Sequence, residues 1–392
     1  EKARRSLGKV LISGGERCNV THACFDPARL VTFYPRGGNE LRGPFSRFQP
    51  KDTVQWFEQR GVPIKTEEDG RMFPASDSSL SIVNCLEDAE RKAGVTVWNL
   101  ATLVDVEVLP SAENENGRFE ICLKRDGEEV EEMLVTHSIL FASGSEAYCQ
   151  GIIKNLGHTI QPPVPSLFTF KITDERISEL AGVSVQNASL TLEDLNGEKS
   201  MVKMQNGPLL ITHWGISGPV SLKTSAWGAR WLFEHEYQAG CVINWLYPLT
   251  TEKVFEELKL YKDNPGNNKK KPGAHPVFQQ IPVRLWKKIC DACGITENQN
   301  WADMSKALIR KLAEELTAGG YLIEGKGMFK DEFVTCGGVR LDEVDFKTMQ
   351  SRLVPGVFFA GEVLDIDGLT GGFNFQNAWT TGWLAGSALA NQ

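Results

Sequence analysis

The segment Gly356-Val-Phe-Phe-Ala-Gly-Glu362-Val-Leu-Asp365-Ile-Asp367-Gly-Leu-Thr-Gly371-Gly372-Phe-Asn374-Phe-Gln376 restricts the fold more than any other part of the chain. Val357 to Ala360 is apolar without alternation and ends on glycine, the pattern of a strand buried on both faces in a parallel sheet. Gly361, three acids and a Gly-Gly pair follow at once. A strand that carries small residues and a carboxylate to its C-terminal end suits a ribose- or ribityl-phosphate ligand. Alanines and glycines recur from Ala378 to Ala390, which predicts a final helix able to pack closely. The segment points to a nucleotide cofactor.

Near the other end, Leu11-Ile-Ser13-Gly14-Gly15-Glu-Arg17-Cys18-Asn19-Val-Thr21 predicts irregular backbone that can approach a phosphate or a ring. A third motif, Thr212-His213-Trp-Gly215-Ile-Ser217-Gly218-Pro219, lies between them. Taken in order, the three resemble the FAD-dependent oxidoreductases of the BaiN/YhiN-like type, and the resemblance spans essentially the whole chain. Phe168-Thr-Phe-Lys171-Ile and Ser225-Ala-Trp-Gly-Ala-Arg230 look closest to plant and cyanobacterial members, which suggests an intracellular, plastid location.

The resemblance implies an α/β fold: a discontinuous Rossmann-like, two-dinucleotide-type FAD domain from residues 1–162 and 334–392, with an insertion. The insertion would be a β-barrel at 163–250 and a helical part at 251–333. FAD would be held by Glu1, Lys9, Ser13, Gly14, Gly15, Arg17, Cys18, Asn19, Leu103, Ser143, Gly144, Gly361, Glu362, Asp365, Gly371, Gly372, Phe373 and Asn374. For Arg17, Cys18 and Asn19 the alternative is a tight turn with a capping asparagine, and for the glycines a structural turn. The implied reaction is two-electron reduction of a small organic substrate at C=C or C=O by hydride transfer through the flavin. No separate nicotinamide-binding domain is visible, so NAD(P)H, as candidate electron donor, would dock transiently. Neither a catalytic acid nor a metal site follows.

One expected element is missing. No Gly-x-Gly-x-x-Gly occurs in the 392 residues. Glu1-Lys2-Ala-Arg4 resembles the end of the second strand of such a domain, which makes Glu1 its ribose-binding acid and leaves the first β-α-β unit absent. Its absence predicts unpaired sheet edges. It also predicts FAD binding weaker by ~3–9 kcal/mol, for two or three lost charged hydrogen bonds at ~1.5–3 kcal/mol each. Two other classes stay open: a flavin-free pseudoenzyme or interaction protein, if the first β-α-β unit is genuinely absent and not trimmed from the sequence, and a tRNA-modifying flavoprotein.

A net charge of −8 argues against nucleic-acid and membrane-surface partners, and no apolar run is long enough to span a bilayer. Nine cysteines in apolar context suit reduced thiols, and Cys290-Asp-Ala-Cys293 lacks the second pair a zinc site needs. Gly215-Ile-Ser217-Gly218-Pro219 is no nucleophile elbow, because proline stands where the second glycine belongs. His213 could donate a proton, though a satisfied structural histidine fits as well.

Helices are predicted at 52–60 (with Asp52 and Gln55 as a capping box), 79–93, 282–293 and 302–318. Strands are predicted at 95–98, 101–109, 118–124, 130–135, 167–172, 183–192, 199–205, 208–213 and 241–247. Asn196-Gly197 and Asn206-Gly207 read as hairpin turns, and 262–276, with the lysine run Lys269 to Lys271, as a solvated loop.

Overall fold

The computed structural model describes residues 1–110, 118–127, 131–327 and 334–391; residue 130, the predicted start of one strand, and 328–333, the predicted end of the helical part, lie outside them. The chain divides into two units, Glu1–Pro163 with Thr335–Gln392, and Val164–Val334.

In the first unit Val357–Phe359 pairs in parallel with Ile139–Phe141, Phe359 opposite Phe141. All three residues of Val357–Phe359 are buried, as their unbroken apolar run requires. The hairpin Val344–Asp345/Gln350–Ser351 continues the sheet beyond Val357–Phe359, and Ile139–Phe141 is its other edge among the described residues. The last helix, Phe373–Leu389, starts earlier than its alanine pattern indicates, because Gly372 at φ 90° ends the preceding loop directly against it. Ala101–Val108, Phe119–Arg125 and Glu131–Thr136 form the expected meander. No strand forms at 95–98. The helix Pro50–Glu58 is capped one turn earlier than predicted, by Asp52 Oδ2 accepting from the Gln49 N–H at 2.8 Å.

Beside Phe359 lies a buried Ser–His–Glu relay. His158 Nδ1 is 2.9 Å from Glu343 Oε2, and the Ser351 hydroxyl is 2.9 Å from His158 Nε2. Ser351 Oγ also accepts from the Leu353 and Val354 N–H groups. Its lone pairs are filled by its own turn and it is buried, so the relay fastens the hairpin rather than attacking a substrate. Burial holds the His158 pKa below its usual value even with Glu343 adjacent. Burial also opposes ionisation of Glu343, but hydrogen bonds from Thr159 and His158 outweigh it and pull that carboxyl down. The unfolded chain thus protonates His158 first as pH falls below about 6.5, and Glu343 adds to the loss of stability at lower pH. We expect the urea midpoint to fall between about pH 7.5 and pH 5, and the profile to flatten in His158→Gln/Glu343→Gln. A pH-independent midpoint in the unaltered protein would contradict this.

The second unit has seven antiparallel strands in the order Gly319–Ile323, Ala239–Asn244, Ser184–Glu193, Gln205–Thr212, Gly215–Ser217, Phe170–Lys171 and Gly325–Lys326. The two outermost strands are consecutive in the chain, with only Glu324 between them, so the sheet rolls up on itself. It thereby takes strands from 319–326, beyond the stretch where the sequence suggested a barrel. Asn206-Gly207 is no turn: it lies within Gln205–Thr212, where pairing with Ala188 and Ser189 overrides its local preference. Lys199 bridges Glu193, and residues 200–204, within the stretch expected to be a strand, form bends and irregular backbone.

Thr251–Asp263, Val283–Cys293 and Lys306–Ala318 are the helices of this unit's later half, and Trp245, Trp286 and Trp301 are almost wholly buried in its core. Two of the indoles have partners: Trp286 Nε1 donates to Pro272 O at 2.7 Å, and Trp245 Nε1 to Tyr321 Oη at 3.2 Å. The 262–276 stretch is therefore anchored rather than merely solvated. Lys271 Nζ also donates to Asn298 O, and Lys270 lies over the Tyr261 ring. Cys290 and Cys293 are buried, which pushes both thiols up, Cys293 to about 12; they pack as core residues.

Candidate cofactor site

The glycine-rich N-terminal motif is helical over Gly8–Glu16, with a break at Ser13, Gly14 and Gly15. Gly14 and Gly15 take φ 58° and 68°, and a Cβ on Gly14 would lie 2.9 Å from Asn19 N. The break lets the Cys18 N–H reach Ser13 O at 3.0 Å and sends Cys18 and Val20 into the core. Burial pushes the Cys18 thiol up to about 11, so it is a packing group and not a reactive thiolate. Arg17 lies over Phe73, its guanidinium carbon 4.0 Å from the ring centre, and pairs with Glu67.

This motif is joined to the C-terminal one. In the orientation that satisfies both ends of its amide, Asn19 donates to Thr21 O and accepts from the Gly372 N–H, each at 3.0 Å. A Cβ on Gly372 would sit 2.6 Å from Thr21 carbonyl atoms, so only glycine allows this approach. A buried polar chain runs behind it. Thr21 and Thr53 hydroxyls donate to Gln376 Oε1 at 2.6 and 3.0 Å, and Gln376 Nε2 donates to Thr380 Oγ1 at 3.0 Å. Trp379 Nε1 donates to Val20 O at 3.0 Å.

Phe373 stacks on His22 and Phe33, with ring centres 4.7 and 4.4 Å away, and Tyr34 Oη donates to its carbonyl at 2.7 Å. Asn374 both accepts from the Gly368 N–H (2.8 Å) and donates to Gly368 O (2.9 Å). Both side chains thus hold the loop that leads into the last helix. His22 packs against Gly371, burial lowers its pKa, and its Nδ1 is buried without a hydrogen-bond partner. Its imidazole is neutral at pH 7.

A second group gathers at the carboxyl ends of the parallel strands. Lys9 Nζ donates to Glu362 Oε2 at 2.7 Å, and the Thr335 N–H donates to Glu362 Oε1 at 3.2 Å. Gly144, at φ 65°, lies against both side chains, and the Thr335 and Ser145 hydroxyls are 3.2 Å apart. The Gly361 N–H donates to Thr381 Oγ1 at 2.9 Å. Ser143 Oγ and Asn377 Oδ1 are buried with no hydrogen-bond partner. Orphaned polar atoms, glycines at positive φ, a lysine that donates and a carboxylate that accepts make a set that fits a phosphate-bearing cofactor with hydroxyl groups.

Asp365 uses its N–H on Val339 O at 3.1 Å, and its charge, with that of Asp367, acts on Arg36. Glu1 and Leu103 share another location: Glu1 O accepts from Ala101 N–H at 3.0 Å, two residues before Leu103, while the Glu1 carboxylate accepts from Ala3 N–H at 2.8 Å. His213 and Ser217 belong to the second unit, His213 exposed on the turn after Gln205–Thr212. Sequence reasoning missed Thr335, Arg36, Tyr34, Thr53 and Gln376, whose partners are far along the chain. No group of three or more metal-ligating side chains occurs among the described residues, and no helix among them is long and apolar enough to cross a membrane.

A family profile described as "HI0933-like protein Rossmann domain" matches residues 1–388. A protein named ribosomal RNA dihydrouridine synthase in Haemophilus influenzae is 27% identical over 388 residues, covering 98% of this chain and 90% of that one. Its namesake in Escherichia coli is 28% identical over 388 residues, covering 97% and 88%. The 3-dehydro-bile acid delta(4,6)-reductase of Clostridium scindens is 26% identical over 399 residues, covering 99% and 91%.

Proposed function

We propose that this chain, which belongs to the HI0933-like family, is an FAD-dependent reductase that saturates a carbon–carbon double bond conjugated to a carbonyl. The observation that carries the reading is the convergence of Lys9, Gly144, Thr335 and Glu362 on one cradle with orphaned polar atoms around it. The relatives' names support the bond type. A dihydrouridine and a delta(4,6)-reduction product each arise by adding two hydrogens across a ring C=C. When bound, FAD would carry the hydride, taken from a reduced nicotinamide nucleotide, to one carbon of that bond.

The chain's own residues would do the rest. The N-terminus of Phe373–Leu389 would offer first-turn N–H groups and its positive dipole end to the bound cofactor. Glu362 would accept from ribityl hydroxyls. The second hydrogen arrives as a proton, so one hydride and one proton balance each double bond reduced. A small conjugated enone is the primary substrate class. The two relatives named for ribosomal RNA favour a second reading, a uridine within RNA, against which the net charge of −8 weighs.

The test is an absorption spectrum of the purified full-length protein after incubation with FAD and gel filtration. Retained flavin bands that bleach with NADPH and recover on adding an enone or a uridine-containing RNA would support the corresponding arm. No retained flavin would leave the interaction-protein reading in its place.

A further inference from the structure

A cavity of about 370 Å³ lies among the end of the helix Gly38–Arg47, the turn of the hairpin Val344–Asp345/Gln350–Ser351 and the last turn of Phe373–Leu389. That volume suits a small metabolite. Ser387, in its wall, is about four helical turns beyond Phe373, roughly 20 Å at about 1.5 Å per residue. The cavity therefore stands at the far end of the last helix from Gly371-Gly372. Its charges are of one sign. Arg47 and Lys347 line it, and no carboxylate does among the described residues. Neither cation takes part in an ion pair among those residues. Arg47 gives one N–H to Lys347 O, which leaves the rest of its five donors, and the Lys347 ammonium keeps all three. The Thr348 hydroxyl accepts from the Gln350 N–H at 3.3 Å and keeps its own hydrogen to donate.

The carboxyl end of Phe373–Leu389 opposes an anion here, but with about half a charge against two whole ones. A second cavity, of about 640 Å³, shares Arg47 and Lys347 and is lined by Glu40, Asp342 and Asp345 as well. Asp342 pairs with Arg340, and Asp345 lies 3.7 Å from Arg352, so these two acids have cations of their own. They leave Arg47 and Lys347 uncommitted and make the second cavity the less favourable one for an anion. In a chain of net charge −8, two free cations on one cavity need a reason. A planar fork, a point charge and a hydroxyl from separate elements suit a tetrahedral group with three free oxygens better than a flat carboxylate. We infer that this cavity binds the phosphate of a small phosphate monoester, with Arg47 as the fork and Lys347 as the point charge. The inference does not rest on the flavin reading, and no residue of the cofactor cradle takes part in it.

The test is calorimetric titration of the full chain with ribose 5-phosphate and inorganic phosphate, and with ribose as the uncharged control. The unaltered protein should bind ribose 5-phosphate saturably, with a dissociation constant of about 1 mM or tighter at low salt. Inorganic phosphate should bind no more tightly, ribose should not bind, and added salt should weaken both anions. Lys347→Gln should weaken ribose 5-phosphate about tenfold, the worth of one charged hydrogen bond. Arg47→Gln should weaken it about ten- to a hundredfold, because a bidentate contact is lost. Lys154→Gln removes the same charge from an exposed site elsewhere on this unit and should leave the affinity within about twofold. Thermal melts check folding; should Arg47→Gln unfold, Lys347→Gln alone decides. No saturable binding of ribose 5-phosphate, or equal affinities in Lys347→Gln and Lys154→Gln, overturns the inference and leaves the flavin reading untouched.

Discussion

Replacing Asp367 with asparagine should destabilise the first unit by about 3–5 kcal/mol, the cost of breaking a buried ion pair from one side. The Asp367 side chain is fully buried and accepts from both Nε and Nη2 of Arg36, itself 16% exposed. Burial alone would disfavour the guanidinium's charge, but the charge and hydrogen bonds of Asp367 outweigh it and keep Arg36 protonated. Asparagine offers one acceptor and turns a donor toward a donor, so Arg36 would lose half of its fork and all of its counter-charge. The melting temperature should fall by roughly 6–20 °C at about 2–4 °C per kcal/mol. Removing both charges, as Arg36→Met/Asp367→Leu, should restore much of it, because well-packed apolar groups replace a buried pair at little cost. An unchanged melt for Asp367→Asn would show that this pair does not hold the loop before the last helix.

Gly372→Ala should be the next most damaging change, though it adds a single methyl. That methyl would meet Thr21 backbone at 2.6 Å and would force a left-handed φ of 90° on a residue with a Cβ. Conformational strain of about 1–2 kcal/mol and overpacking of about 1–3 kcal/mol together predict a loss of about 2–5 kcal/mol. The join between Asn19 and Gly372 would open, and flavin retention should drop with it. Gly382 supplies the control within the same helix. Nothing lies within 4 Å of its missing Cβ, so Gly382→Ala should stabilise by about 0.5–1 kcal/mol. Equal effects at the two positions would remove the argument for a close approach at Gly372.

What was legible in the sequence was local. An apolar run that ends on glycine identifies a buried parallel strand whatever its neighbours are, and Val357–Phe359 is one. Glycine pairs announced left-handed backbone, at Gly14-Gly15 and at Gly371-Gly372. Failure came where partners are distant or where tertiary pairing overrides local preference. Asn206-Gly207 has the composition of a turn, yet both residues are in a ladder with Ser189 and Ala188. Thr251–Asp263 is a helix with only Val254, Phe255 and Leu258 buried, a stripe too narrow to stand out among its charges. Thr335 contributes to the candidate site through its backbone N–H, a group every residue but proline has, so no residue type could have flagged it. Arg36 gave no signal because its meaning depends on Asp367, 331 positions away.

Lys9 meets Glu362 across 353 positions, and Thr21 meets Gln376 across 355. A ribosome adding about 5–20 residues per second needs roughly 20–70 s to travel between the two ends of such a contact. Through that interval the N-terminal glycine motif has been made and has nothing to close upon. Whatever this join holds can therefore be held only by a polypeptide in which both of its ends have been made. A premature stop before Glu362 would leave most of the chain's mass and neither of these two contacts.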